Sequence, residues 1–391
     1  MVRADSSSYP HSTHPTGQVM KITALETWHT KIPFSQGSRP VALGAAVPAG
    51  QMHTFWLRVV TDTGLEGWGE GFGHACVPAT RTAFDTQIGP AALGQDARDI
   101  RGIFRRFNQM FHIFGRNGPI TYALSALDIA LWDLAGKAAG QPVWRLLGGT
   151  NPGTLEAYAS LLRYGASEQV AEACSRAVAQ GYKHIKLHEI FVPQITAART
   201  AIGPDIKLMA DVNCPWTVTQ ALDMARQLRP LNLTWLEEPV FPPEDHDGIA
   251  RVRREGGIPI SCGENTSNLH EFKQQFDKGA LDNCQPSVIK IGGITAMIEI
   301  AALAKAYAVQ MVPHCAYFGA GYLASLHVNA ALAPDVPFER LFVDLEASPW
   351  HDSVLAHGGR VAVPEGPGLG RNPDMAVIQQ YAQGAPTQLR A

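Results

Sequence analysis

Lys183-His184-Ile185-Lys186-Leu187-His188-Glu189 follows "SEQVAEACSRAVAQGY" (167–182), a run with helical spacing that closes at Gly181. A helix, a glycine and a short alternating run read as helix, turn and strand. Side chains two apart on a strand share a face, so Lys186 and His188 point into one space.

The same alternation continues on both sides. Strand-like runs stand at "LEAYAS" (155–160), "HIKLH" (184–188), "IKLMADVN" (206–213), "LTWLEEP" (233–239), "PISCGE" (259–264), "NCQPSV" (283–288), "VQMVPH" (309–314) and "LFVDLE" (341–346). Helix-like segments such as "TQALDMARQLR" (219–229) and "TAMIEIAALAKAYA" (295–308) lie between them. This pattern predicts parallel βα units. A doubly wound sheet would carry a glycine-rich phosphate turn after its first strand, and none is present. The expected fold is therefore α/β, a closed TIM-like barrel over 149–354 with its site at the C-terminal strand ends.

Residues 21–148 read differently. "KITALETWHT" and "TFWLRVVTDTGLEGWGEG" are strands, the second a hairpin turning at "DTG". Helices follow, most clearly "TYALSALDIALWDLAGKAAG" with Leu124, Leu127, Leu131 and Leu134 on one face. This is an α+β domain, and 355–391 is expected to return to it through "GGRVAVPEGPGLGRNPD". The stretch 31–50 between its first strands is long for a plain connection and reads as a binding loop. Residues 1–20 are rich in Ser, His and Pro, lack the apolar core of a signal peptide, and read as a disordered tail.

Of 391 residues 46% are hydrophobic and 17% charged, and the net charge is −3. With no basic run, nucleic acid and anionic membranes are excluded as expected partners. No apolar run is long enough to span a bilayer. Six scattered cysteines without metal-type spacing read as reduced thiols, which fits the cytoplasm.

Polar residues gather at the predicted strand ends: Asp211 and Asn213, Glu237 and Glu238, Glu264, and His314. One such carboxylate reads as a helix cap. Three on adjacent strands, about 4.8 Å apart, converge and repel unless a cation joins them. Oxygen ligands favour Mg²⁺ over Zn²⁺. Only one of Glu237 and Glu238 can face inward, and alternation alone does not choose. Lys186 and His188 lie on the strand before these carboxylates, and His314 lies across the barrel mouth. A metal with bases on both sides suits removal of a proton α to a carboxylate, through an enediolate.

Together "ALDIALWDLAGKAAGQPVWRLLGG", "GYKHIKLH", "ADVN", "WLEEP", "GEN", "IKIGGIT", "VPH" and "VPEGPGLG" resemble the mandelate racemase-like group of the enolase superfamily, from about residue 21 onward. The resemblance implies a capping α+β domain over a modified (β/α)7β barrel. It implies Asp211, Glu237 and Glu264 as Mg²⁺ ligands and Asn213 as a substrate contact. Asp344 or Glu346, ending the eighth strand, would hold a substrate oxygen. The loops at 33–49 and around His74 resemble specificity loops, although His74 by itself reads as an ordinary loop histidine. Two departures stand out. His188 replaces the second lysine of the usual Lys-x-Lys. Ser287 replaces the aspartate that pairs with the histidine of the seventh strand, and it is expected to accept the Nδ1 proton of His314 instead.

The expected activity is dehydration of a sugar acid, with Lys186 or His188 as base and His314 as acid. Racemisation, epimerisation and cycloisomerisation of a hydroxy-carboxylate or lactone use the same groups. A paralogue that only binds a carboxylate is the alternative of another class. The expected partner is a small-molecule carboxylate, and the group's symmetric assemblies imply a homo-oligomer.

Overall fold

The computed structural model describes residues 19–38, 50–150 and 153–391. Apart from Val19 and Met20, the segment read as a tail lies outside these residues, as does 39–49 of the first specificity loop.

Three cap strands, Ile22–Ser35, Gln51–Thr61 and Glu66–Gly71, form an antiparallel meander. Gly64, at φ +79°, makes the turn of the hairpin read at "DTG". The helix Pro119–Ala139 lies directly on the third strand. "EGWGEG" makes this possible: Gly67, Gly69 and Gly71 share one face, and a Cβ on each would strike Ala130 O, Ala126 O and Tyr122 O respectively. Two residues along a strand advance about as far as four along a helix, so each glycine meets one carbonyl. Gly69→Ala is expected to cost about 3 kcal/mol, because a helix backbone cannot yield as a side chain does. Urea denaturation checks this, and an unchanged midpoint would show that the helix can shift.

The barrel strands run Thr154–Ser160, His184–Leu187, Lys207–Asp211, Leu236–Glu237, Ile260–Cys262, Asn283–Cys284, Gln310–Met311 and Phe338–Leu341, with helices between. Neighbours from the first to the seventh pair in parallel, and the eighth pairs in parallel with the first. This is the (β/α)7β-type barrel with a capping domain. Val, Ile, Leu and Ala from strands and helices fill one continuous core. Thr387–Arg390 pairs antiparallel with the first cap strand, Leu389 opposite Leu25.

One strand differs from its expected place. The apolar run 341–346 reads as the eighth strand, but that strand is Phe338–Leu341. Asp344 and Leu345 instead pair with Ser35 and Phe34 of the cap. Both segments alternate, and only pairing partners distinguish them.

Cap and barrel join through buried acids. Glu70 is 2% exposed and accepts Gly321 N (2.7 Å) at the start of the helix Ala320–Leu332. Burial raises its pKa to about 8. Asp128 accepts Thr295 N (2.9 Å). Among the described residues no helix is long and apolar enough to cross a membrane. All six cysteines are free.

Candidate active site

The three carboxylates meet as their strands dictate. Asp211 and Glu237 are register partners on adjacent strands, and Glu264 follows the next strand. One oxygen from each lies within 4.8 Å of the others. Glu237 is the inward member of its pair. Glu238, at φ +48°, turns aside and accepts both hydrogen bonds of Asn265 Nδ2 (3.0 and 2.9 Å). Crowded buried carboxylates of this kind form a donor set for a hard divalent cation. Burial and then Asp211 push Glu237 well above the carboxylate range, against the pull of Lys186. A cation at the cluster removes that conflict.

Lys186 lies among the carboxylates and does not line the cavity. Its Nζ is fully buried, 2.7 Å from Glu237 Oε1, 2.8 Å from Glu339 Oε1 and 3.4 Å from Asp211 Oδ2. Burial alone would lower its pKa. Glu237 and Glu339 outweigh burial and hold the ammonium well above its ordinary value. Lys186 is the counter-ion of the cluster. Burial likewise opposes charge on Asp211, but Lys186 and His188 keep its carboxyl low.

His188 does face the cavity. Its Nδ1 lies 2.6 Å from Leu161 O, and its Nε2 lies 3.3 Å from Asp211 Oδ2. Only a protonated Nδ1 can donate to a carbonyl, so in the neutral ring Nε2 carries the lone pair. His314 stands opposite, with Nε2 2.9 Å from Glu264 Oε2. His314, then Lys290 and Lys186, hold the Glu264 carboxyl well below its usual range despite burial.

Ser287 does not take the place of the missing aspartate. It forms a bridge with His314 through the backbone, but its hydroxyl donates to Tyr317 Oη (3.3 Å). His314 Nδ1 is buried with no hydrogen-bond partner among the described residues. The short serine side chain meets the tyrosine hydroxyl instead of the imidazole.

His188, Glu264 and His314 line a cavity of about 300 Å³ with Asn213, Asn265, Lys290, His74, Tyr122, Gln51, Met52 and Phe72. Asn213 N and Nδ2 donate to Asp211 Oδ1 (3.0 and 2.9 Å), which holds the residue at the rim. His74, read as an ordinary loop histidine, packs edge-on to Phe72 in the cavity wall. Burial and then Lys290 lower its pKa to about 4, so it is neutral. Lys290 sits 4.6 Å above the Phe72 ring and donates to Asn265 Oδ1 (2.8 Å). The reading of the strand ends passed over it, because it lies in the turn after the sixth strand.

Asp344 and Glu346 are not brought to the cavity. Both are exposed on the cap side, and Glu346 accepts Tyr381 Oη (2.8 Å). The inward acid of the eighth strand is Glu339, fully buried between Lys186 and Cys315 N (2.9 Å). In the sequence it stands beside Arg340, between Phe338 and Leu341, and nothing local marks it as a site residue.

Two family profiles cover most of the chain. "Mandelate racemase / muconate lactonizing enzyme, N-terminal domain" matches residues 34–148, and "Enolase C-terminal domain-like" matches 169–377. The chain belongs to the mandelate racemase-like family of the enolase superfamily. Within this family, a D-galactarolactone cycloisomerase of Agrobacterium fabrum is 34% identical, over 90% of this chain and 96% of its own. An arabinonate dehydratase of Saccharolobus solfataricus is 30% identical, over 83% and 89%. The crystal structure of a racemase from Streptomyces coelicolor with bound magnesium superposes with a TM-score of 0.80 at 30% identity, covering 92% of this chain and 99% of that one. The chain is an enzyme of this superfamily, and its carboxylate cluster is of the kind that suits a divalent metal.

Proposed function

We propose that the protein is a Mg²⁺-dependent sugar-acid dehydratase. The observation that carries this reading is one cavity lined by both His188 and His314, whose Nε2 atoms lie against Asp211 and Glu264, two members of the carboxylate cluster. Mg²⁺ held by the three carboxylates would supply the positive charge that an enediolate needs. His188 Nε2 takes the α-proton, and its Nδ1–H stays on Leu161 O. The electron pair moves into the enediolate. As it returns, the bond from the β-carbon to its hydroxyl oxygen breaks. His314 Nε2 gives its proton to that oxygen, and water leaves. The remaining enol becomes a 2-keto-3-deoxy acid. Lys186 and Glu339 stay charged throughout and hold the cluster's geometry. Asn213 and Lys290 contact substrate oxygens.

Dehydration fits His314 better than abstraction does. A histidine base usually has a carboxylate on its far nitrogen to stabilise the imidazolium. His314 Nδ1 has none. One relative favours a second reading: the 34% identical cycloisomerase. If the leaving oxygen belongs to a lactone or anhydro ring, the same elimination opens the ring and nothing departs.

His314→Asn separates the steps. The variant is expected to exchange substrate α-hydrogen in D₂O but to form product about 10²–10⁴-fold more slowly. Arabinonate and galactarolactone, followed by proton NMR, serve as the first substrates. Loss of exchange in a folded, metal-binding variant would make His314 the abstracting base.

A further inference from the structure

Glu189 closes the stretch on which the barrel reading began, and the mechanism does not use it. It is 2% exposed and does not line the cavity. No cation lies within ion-pair distance of it among the described residues. A buried carboxylate without a counter-ion is costly, so its hydrogen bonds must compensate. Oε1 accepts Tyr164 N (2.6 Å) and Gly165 N (3.1 Å). Both belong to the turn 161–165 that follows the first barrel strand.

That turn holds His188 from two sides. Leu161 O accepts the imidazole Nδ1–H (2.6 Å), and Arg163 Nε donates to His188 O (2.6 Å). Leu161 N in turn donates to Lys186 O (2.8 Å). The far side of the turn is fastened to the cap: Gln36 Nε2 donates to Arg163 O (3.2 Å), and Tyr164 Oη donates to Gln36 O (3.0 Å). Leu161 O is therefore a fixed acceptor, and its position depends on the carboxylate that pins the next residues.

We propose that Glu189 is a positioning residue which, through the 161–165 turn, fixes His188 in the Nδ1–H tautomer and so leaves Nε2 bare toward the cavity. The inference rests on the reading of His188 as the base. It adds the device that makes that reading possible in a ring flanked by carboxylates. Without a fixed acceptor nothing holds the proton on Nδ1, and a neutral ring protonated on Nε2 has no lone pair there to take a proton. A partner that orients a site residue in this way is worth on the order of 10–100-fold in activity.

The test uses the full chain with Mg²⁺ and histidine labelled with ¹⁵N, the His188 signal being assigned by its absence in His188→Asn. The wild type is expected in the Nδ1–H tautomer. Glu189→Gln keeps an acceptor oxygen and should retain that tautomer. Glu189→Ala should populate the Nε2–H form and lower kcat for α-proton exchange at least about tenfold, with KM little changed. If Glu189→Ala does not fold, Glu189→Asp, one methylene too short, supplies the same comparison. A folded Ala or Asp variant with the wild-type tautomer overturns the proposal. That result is distinct from failure of the base assignment, which would appear as undiminished exchange in His188→Asn.

Discussion

Glu264→Gln should lower kcat/KM by about 10³-fold or more and weaken Mg²⁺ binding, whereas Glu238→Gln should lower activity by less than about tenfold. The two residues differ in what their oxygens face. Glu264 offers a carboxylate oxygen to the cluster with Asp211 and Glu237, and its Oε2 lies 2.9 Å from His314 Nε2. An amide at this position removes a negative charge from the cation site and leaves a single oxygen to serve both the cation and the proposed acid. Glu238 is as deeply buried, but its oxygens meet Asn265 Nδ2. A carboxamide there still accepts one of those bonds. Mg²⁺ titration by calorimetry alongside steady-state kinetics gives both quantities. The opposite ranking would mean that the inward and outward members of the "EEP" pair are exchanged.

His188→Asn should reduce α-proton exchange by about 10²–10⁴-fold while leaving the fold and Mg²⁺ affinity near wild type. Asparagine keeps a side chain that reaches toward Leu161 O, but it has no basic nitrogen. Lys186→Met should behave differently. Its Nζ balances Glu237, Glu339 and Asp211 in a fully buried space. Removing one partner of a buried ionic cluster costs about 3–5 kcal/mol. Its activity should therefore fall together with thermal stability and metal affinity. Thermal melts, Mg²⁺ titration and exchange in D₂O on both variants decide the matter. Exchange that survives His188→Asn and disappears in a stable, metal-binding Lys186→Met would return the base to the lysine.

Legibility in the sequence followed the range of the interactions. Alternation between apolar strands and amphipathic helices is local, so the barrel, the cap and the C-terminal strand ends could all be read. Asp211, Glu237, Glu264, His188 and His314 stood out because each polar side chain ends an apolar run. The glycines of "EGWGEG" were visible as well, but the helix they admit was not. Register across the barrel is not local. Whether Phe338–Leu341 or 341–346 closes the sheet depends on which segment finds the first barrel strand. That choice sent Asp344 to the cap and put Glu339 beside Lys186. The ionisation of Lys186 was equally out of reach, since strand alternation gives a side chain's face but not the number of carboxylates it meets. Ser287 turned to Tyr317, thirty positions along the chain, to which its hydroxyl donates instead of accepting from His314. Sequence determined which strand ends supply the carboxylate cluster and the two histidines. The tertiary structure alone decided their charge states, tautomers and partners, because those depend on groups that folding brings together from different strands.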